Sequence, residues 1–354
     1  MRLRSISLEN FRNYSKISVS IDADLVLILG DNASGKTNFL ESIYFLSRLK
    51  SFRAPDELIV KQLEEYFNIE GEFGSHQMRV VVQKVPSIRR SFKINGQKVS
   101  KSVWQSFPTV LFVPNDLNLF ILGPVARRKF LDEILTQKSQ EYAISLVSLD
   151  HILKQKSALL EMLNQGQGDL AQLEFWNQQL AQAASVITKY RVEFIEFLRQ
   201  NFDSMIEALM GKESKFKIVF KNQAETEQQY LECLRQHQEA EIRSQTNLVG
   251  PHRDDFLIEK DSTLNIYNSS RGELRTQILA LKLLQAKFLT SIEQKPIILL
   301  DDVFSELDET RRRKLIETLE GHQIFITSTE EHHLPNLTKD VLILKVAHNQ
   351  ITPS

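Results

Sequence analysis

Gly30-Asp-Asn-Ala-Ser-Gly35-Lys36-Thr37 brackets four residues between two glycines and follows them at once with a lysine and a hydroxyl. This is the G-x-x-x-x-G-K-[ST] pattern of a phosphate-binding loop. Phosphate oxygens need several backbone N–H donors at close range, and glycine lets the main chain approach without a Cβ. The helix expected to follow adds about half a positive charge and further N–H groups at its start. On this reading Gly30, Asp31, Asn32, Ala33, Ser34, Gly35, Lys36, Thr37 and Asn38 surround a nucleotide triphosphate. Lys36 reaches the β and γ phosphates, and the Thr37 hydroxyl is offered to Mg²⁺. A second group, Pro296-Ile-Ile-Leu-Leu300-Asp301-Asp302, is an apolar run ending in two carboxylates. Ligands of parallel sheets lie beyond the carboxyl ends of the strands. Asp301 is therefore expected at the same metal, through water, and Asp302 beside the attacking water. ATP and Mg²⁺ are the expected ligands, with Lys36 and Asp302 as the catalytic residues.

The elements that must position these groups follow from periodicity. Residues 3–8 and 17–21 alternate as half-buried strands do, while Leu25–Leu29 is apolar throughout, as in a strand covered on both faces. A helix carrying Phe39, Leu40, Ile43 and Tyr44 on one side follows the loop. Strands are expected near 69–73, 78–85 and 89–100, the last turning at Asn95-Gly96, a type I′ hairpin signal. From about 127 the period becomes helical. Leu173, Trp176, Leu180, Ala183, Ile187, Tyr190, Phe194 and Phe197 fall three and four apart, an a/d seam. Leu149, Ile152, Leu159 and Leu163 continue it upstream, interrupted by Lys156, with Gly166-Gln-Gly168-Asp169 as a turn. These two stretches make a helical hairpin of about 25 to 40 residues per arm, ~40 Å or more in reach. Whether it projects or packs in a bundle stays open. A strand at Phe216–Phe220, helices near 225–245 and 270–292, and strands at 296–300, 324–327 and 341–346 complete the chain. The fold class is α/β, with the nucleotide domain at 1–115 and 246–354 split by a mainly helical insertion at 116–245.

Ser270-Arg-Gly-Glu273 opens the helix after that insertion. Serine with glutamate three residues on is a capping box, but Gly272 is a poor first-turn residue unless something must approach the backbone. Between Lys84 and Lys101 there are six basic residues and no acidic one. On a hairpin, Arg89, Arg90, Lys93 and Lys98 form a candidate DNA surface. Hydrophobic and charged contents of 42% and 25% are those of a soluble globular protein, and the net charge of −1 confines any nucleic-acid binding to local patches. Cys233 is the only cysteine, which excludes an internal disulfide and a multi-cysteine zinc site. The N-terminus has no signal-peptide h-region, and no run approaches the ~18 apolar residues of a membrane span. A cytoplasmic protein without membrane contact is expected.

Several further motifs occur in order along the chain. They are Asn10-Phe-Arg12-Asn-Tyr14, Gly35-Lys-Thr-Asn38 with Glu41, and Ser51-Phe-Arg53. Pro114-Asn-Asp116-Leu, Arg127-Arg128 and Phe130-Leu-Asp132 follow, then Gly250-Pro-His-Arg253-Asp-Asp255 and Leu300-Asp-Asp-Val-Phe-Ser-Glu-Leu-Asp308. Together with Ser270–Glu273 they resemble, nearly end to end, the RecF family of bacterial DNA-repair ATPases, which are related to the SMC proteins. The resemblance implies an ABC-type (SMC-like) P-loop ATPase domain and an ATP-dependent homodimer. In such a dimer Ser270, Gly272 and Glu273 bind the γ-phosphate held by the second copy, and Ser305–Asp308 is the D-loop. It also implies a weak DNA-stimulated ATPase acting in replication, repair and the SOS response at single-strand/double-strand junctions, on duplex or gapped DNA. RecA loading, with RecR and RecO as partners, is implied in the same way. Three departures stand out: Ala33-Ser34 replaces the common glycine-glutamine, Arg271 and Glu273 replace the usual residues of the serine motif, and His332 and His333 stand too far on to serve as a switch histidine. Two other functions compete. A transporter ATPase subunit is disfavoured by the long helical stretch between Thr37 and Ser270. A DNA scaffold that uses ATP only to dimerise would be separated by measured turnover.

Overall fold

The unbroken apolar run Leu25–Leu29 forms a strand in which every residue is buried, as a strand with both faces covered must be. The structure is a computed structural model and describes residues 2–354 apart from 102, 105, 106, 212, 214, 261, 262, 265, 266, 268, 293 and 331–340. From the N-terminus come β1 (Ser5–Phe11), β2 (Tyr14–Ser20), β3 (Leu25–Leu29), α1 (Lys36–Arg48), β4 (Tyr66–Phe73), β5 (His76–Gln83), β6 (Arg89–Ile94), β7 (Gln97–Val99) and β8 (Thr109–Phe112). The middle holds α2 (Asn118–Ile121), α3 (Pro124–Lys138), α4 (Gln140–Asn164), α5 (Leu170–Met210), β9 (Phe216–Lys221), α6 (Glu227–Ser244), β10 (Asp255–Lys260) and β11 (Thr263–Leu264). The chain closes with α7 (Arg271–Leu289), β12 (Ile297–Asp301), α8 (Glu309–Thr318), β13 (Ile324–Ser328), β14 (Val341–Ala347) and β15 (Gln350–Pro353).

Two compact units result: Met1–Asp116 with Gln285–Ser354, and Leu117–Leu284. The first contains two sheets. One is antiparallel, in the order β2-β1-β4-β5-β6-β7; the other runs β15-β14-β3-β13-β12-β8 and is parallel from β14 to β8. Helix α1 lies in the core between them: Phe39, Leu40 and Ile43 are wholly buried in one cluster with Ile6 and Phe67 of one sheet and Val26, Leu299 and Phe325 of the other. Asn95 and Gly96 both take positive φ, 50° and 77°, as the expected type I′ turn between β6 and β7 demands. The parallel order matters most for function. Strand β13 sits between β3 and β12, so the three carboxyl ends stand side by side.

In the second unit the helices form a bundle. The buried stripe of α5 includes Asn177, Ala181, Ala184, Thr188, Arg191, Ile195 and Leu198 as well as most of the expected seam, whereas Trp176, Tyr190 and Phe197 stay partly exposed. A stripe this wide faces several neighbours at once, and α5 indeed packs against α3, α4, α6 and β9. Lys156, the apparent break in the α4 pattern, is wholly buried and donates to the equally buried Glu241 at 2.6 Å. Glu241 Oε1 also accepts Leu248 N at 2.8 Å, so its two oxygens tie α4 to the chain after α6. The second compact unit runs on to Leu284, so residues 246–284 group with the helices. The reason is pairing: β10 lies antiparallel to β9, and the residues before it are tied to the helices. Asp254 accepts from the buried Arg191 at 2.8 Å, and Asp255 accepts both Nε and an Nη of Arg127. Among the described residues no helix is long and apolar enough to cross a membrane.

Candidate functional site

The loop between β3 and α1 is braced from behind by distant parts of the chain. Gly35 sits at φ 116°, a backbone conformation that favours glycine. A Cβ there would lie 2.5 Å from Asn13 Nδ2 and 2.9 Å from the Tyr14 hydroxyl. Gly30 meets the carbonyl of Val346 in the same way, at 2.4 Å. Tyr14 donates to Gly35 O at 3.0 Å, and Asn13 Nδ2 donates to Ser34 O at 3.3 Å and to Asn349 Oδ1 at 2.7 Å. Asn38 Nδ2 completes the brace by donating to Asn13 Oδ1 at 2.7 Å. The loop side facing away from these contacts is a row of backbone groups at a helix start. No side chain caps α1, and its first turn holds no acidic residue. Lys36 Nζ folds over the loop and donates to Gly30 O and Asp31 O at 2.7 and 2.8 Å. Burial pulls its pKa down, and Asp302, Asp301 and Asp31 oppose that. Ser34 Oγ is buried with no hydrogen-bond partner among the described residues.

Strand ends bring the aspartates to this loop. Asp301 closes β12 and its Oδ1 accepts two hydroxyls, Thr37 Oγ1 at 2.8 Å and Thr327 Oγ1 at 2.9 Å. Thr327 is paired with Asp301 in the parallel register of β12 and β13. Its oxygen also accepts the Asp302 N–H at 2.9 Å. One threonine therefore orients both carboxylate residues. Asp302 is exposed and left-handed, with φ 52°, which turns the chain sharply off the strand. Burial raises the Asp301 pKa above its ordinary value, against the two hydroxyl bonds and the positive charge of Arg53. Farther on, Ser305 Oγ donates to Asp302 O at 2.8 Å, and Asp308 caps α8 through Arg311 N at 2.9 Å.

Glu41, one turn into α1, gathers the arginine motifs that the sequence leaves scattered. Its side chain is wholly buried. Arg12 grips both oxygens, Nε at 2.9 Å and an Nη at 2.7 Å, while Arg53 and Ser51 also donate to it. Burial works against ionisation here, but the bonds from Arg12, Arg53 and Ser51 outweigh it and hold the carboxyl below its ordinary pKa. Arg53 donates in addition to Asn38 Oδ1 at 2.6 Å. No role for Arg53 or Thr327 was read from the sequence. The only signals were the Ser-Phe-Arg motif and the polar end of an otherwise apolar strand.

The remaining expected residues fall in two other places. In the second unit Ser270 and Glu273 form the reciprocal capping box: Ser270 N donates to Glu273 Oε2 at 2.8 Å and Glu273 N to Ser270 Oγ at 3.3 Å. A Cβ on Gly272 would meet nothing within 4 Å among the described residues, so these give no steric reason for this glycine. On the antiparallel sheet Arg79, Lys93 and Lys98 are direct cross-strand neighbours, and Arg89 shares their face opposite Gln83. Arg90 does not. Alternation along β6 turns it to the face of the buried Phe92, where it pairs with Asp56 at 2.6 Å and donates to Leu49 O at 3.0 Å. Of the four expected basic residues, Arg89, Lys93 and Lys98 thus share a face that Arg90 does not; Arg79 on that face donates to Asn68 Oδ1 at 2.9 Å and lies 3.8 Å from Glu70. His332 and His333 lie outside the described residues.

With this geometry in hand, the comparisons are specific. The RecF/RecN/SMC N-terminal domain model matches residues 2–352. A DNA replication and repair protein RecF from Streptococcus equi subsp. zooepidemicus is 36% identical, the match covering 98% of this chain and 96% of that protein. The chain belongs to the RecF family. Its RecF relative from Leptospira interrogans is 30% identical over 93% of the chain. A solved structure of the recombination mediator protein RecF-ATP in the RecFOR pathway superposes with a TM-score of 0.89 at 29% identity, covering 99% of this chain and 97% of that one. An SMC head bound to the C-terminal winged-helix domain of ScpA shares the fold, with a TM-score of 0.60 at 15% identity. The RecF-family fold here is thus the ABC-type, SMC-like ATPase fold, as the motifs implied.

The Glu41 cluster makes a stability prediction. A carboxylate held below its ordinary pKa stabilises the fold above that ordinary value, here 4.5, and the contribution is lost as pH falls through the depressed folded value. Glu41→Gln is expected to cost about 1.5–3 kcal/mol at pH 7, the scale of a hydrogen bond to a charged group. The gap between variant and wild type should close on acidification. Urea unfolding at pH 7, and then stepwise down through the depressed range below 4.5, measures both.

Proposed function

We infer that this RecF-family protein binds and hydrolyses ATP with Mg²⁺ in a composite site shared by two copies, and acts on DNA in repair. The observation that carries the reading is the meeting of Thr37 and Thr327 on Asp301 Oδ1, directly beside a glycine-walled loop at an uncapped helix start. These residues fit a magnesium nucleotide. Gly30 and Gly35 leave the loop no room for side chains behind it, and Ser34 Oγ is a buried donor without a partner among the described residues. Thr37 can donate to Asp301 and still offer a lone pair to a metal ion. Mg²⁺, when bound, neutralises phosphate charge and fixes the triphosphate; Thr37 and Asp301 would hold it. Lys36 has only to leave two backbone carbonyls to meet phosphate oxygens. Arg53, one side of the Glu41 cluster, adds a second cation on the Asp301 side. Asp302, exposed and held at its N–H by Thr327, would orient and polarise water.

A single chain supplies one phosphate loop and one Ser270-Arg-Gly-Glu273 helix start. In the family reading each loop is completed by the helix start of a second copy, which makes the homodimer ATP-dependent and isologous. The bare Gly272 surface supports this reading, because glycine there costs about 1 kcal/mol of helix propensity with no return inside the chain. DNA contact is assigned to the outer face of the antiparallel sheet, through Arg89, Lys93, Lys98 and Arg79. Action at single-strand/double-strand junctions, stimulation of the ATPase by DNA, help in RecA loading and cooperation with RecR and RecO in the cytoplasm complete the reading. They rest on kinship with proteins named for DNA replication and repair.

Two experiments follow. Thr327→Val removes the hydroxyl that orients both aspartates while keeping strand shape. Turnover should drop about 10–100-fold, as for other groups that orient metal-site ligands, with ATP affinity changed only a few-fold; steady-state hydrolysis and fluorescent-nucleotide titration measure the two. Unchanged turnover would detach Thr327 from the site. On DNA, each phosphate contact adds about 0.9 to the slope of log affinity against log salt. Lys93→Ala with Lys98→Ala should flatten that slope by up to about 2, whereas Arg90→Ala should leave it alone. Parallel slopes for wild type and the double variant would move the DNA surface elsewhere.

A further inference from the structure

We propose that Lys260 is a positioning cation for the proposed composite site, cancelling the charge of Glu273 so that an acidic residue can stand at a phosphate-facing helix start. The inference rests on the two-copy reading above. Glu273 is one of this chain's departures from the serine motif of its family, and the departure has a cost. A carboxylate at a helix start is stabilised by the helix dipole, but it spends the same positive field that an incoming phosphate needs. Two negative groups at one helix end repel each other.

The structure places the remedy next to the problem. Glu273 Oε2 accepts Ser270 N at 2.8 Å, which any oxygen of that shape, including an amide oxygen, could do. Its other oxygen, Oε1, accepts Lys260 Nζ at 3.0 Å. Lys260 is the last residue of β10, held in register between Phe216 of β9 and Thr263 of β11, so its stem starts from a sheet rather than a loose loop. The two side chains are 22% and 32% exposed, partly covered yet open enough to face a second copy. Beside them the Gly272 position is open to approach. The Ser270 N–H and the Lys260 ammonium also hold the Glu273 pKa down at about 2, so the residue is an anion whenever ATP is. Glutamate plus lysine thus reproduces the zero net charge of a neutral amide while keeping the capping bond.

The test is compensation. Dimer mass is followed by sedimentation with Mg²⁺ and a non-hydrolysable ATP analogue, for Lys260→Met, Glu273→Gln and the double variant, with thermal unfolding as a check on folding. Lys260→Met alone should weaken dimerisation at least ~10-fold, because an uncancelled carboxylate then faces phosphate. Glu273→Gln alone should dimerise at least as tightly as wild type, and adding it to Lys260→Met should restore wild-type behaviour. Lys260→Met at wild-type strength, or a double variant as weak as Lys260→Met, would overturn the assignment. Should Lys260→Met fail to fold, Glu273→Gln alone decides, since a ~10-fold weakening there contradicts charge cancellation. Ser270→Arg separates the two layers of the argument. If it too dimerises normally, the composite site itself is wrong; if it abolishes the dimer while Lys260→Met does not, only the role of Lys260 falls.

Discussion

Two hydroxyls meet on one carboxylate oxygen, and the working parts of this protein are arranged around that contact. Thr37 and Asp301 are 264 positions apart in the chain, yet their side chains touch because β3 and β12 flank β13 in a parallel sheet. Thr327, at the end of the strand between them, reaches Asp301 with its hydroxyl and the Asp302 N–H with its lone pair. Parallel order makes this unavoidable: strands running the same way end on the same edge, so the loop and the two carboxylates are presented together. Antiparallel pairing of β3 and β13 would have sent Thr327 to the opposite edge of the sheet.

A second constraint keeps the loop in shape from outside, beyond the bonds that Lys36 Nζ gives Gly30 O and Asp31 O. Its braces come from the turn after β1, from α1 and from the C-terminal hairpin, through Asn13, Tyr14, Asn38, Val346 and Asn349. Glu41 then anchors α1 to Arg12 and Arg53. Buried charges of this kind are costly unless each is paired and hydrogen-bonded, and Glu41 is met by two arginines and a serine. The second unit uses the same device twice, at Lys156–Glu241 and at Arg191 with Asp254 and Asp132. The first ties α4 to α6, and the second ties α5 to α3 and to the turn before β10.

Local chemistry was legible from the residues. The buried strand, the phosphate loop, the aspartate pair, the Asn95-Gly96 turn and the capping box all declare themselves within a few residues, because each depends on backbone geometry or short-range hydrogen bonds. What stayed hidden is long-range. Nothing near Thr327 says that β13 lies beside β12, and nothing near Arg12 says that Glu41 is its partner. A seam drawn from apolar residues alone is narrow, whereas Asn177, Thr188 and Arg191 are also buried on α5, Thr188 against the Tyr230 hydroxyl and Arg191 with Asp254 and Asp132. Arg90 was grouped with its neighbours by composition, but a strand sends adjacent side chains to opposite faces. Residues 246–284 group with the helices for the same reason: β10 lies beside β9, a pairing that no local pattern reveals.

The account turns on Asp302 acting on water while Lys36, Thr37 and Asp301 hold the nucleotide. The most direct measurement is ATP binding and single-turnover hydrolysis by Asp302→Asn, an exchange that keeps shape and hydrogen bonding but removes the charge. Binding with wild-type affinity and hydrolysis reduced to background is the predicted result. Hydrolysis at the wild-type rate would contradict the assignment of chemistry to this strand end.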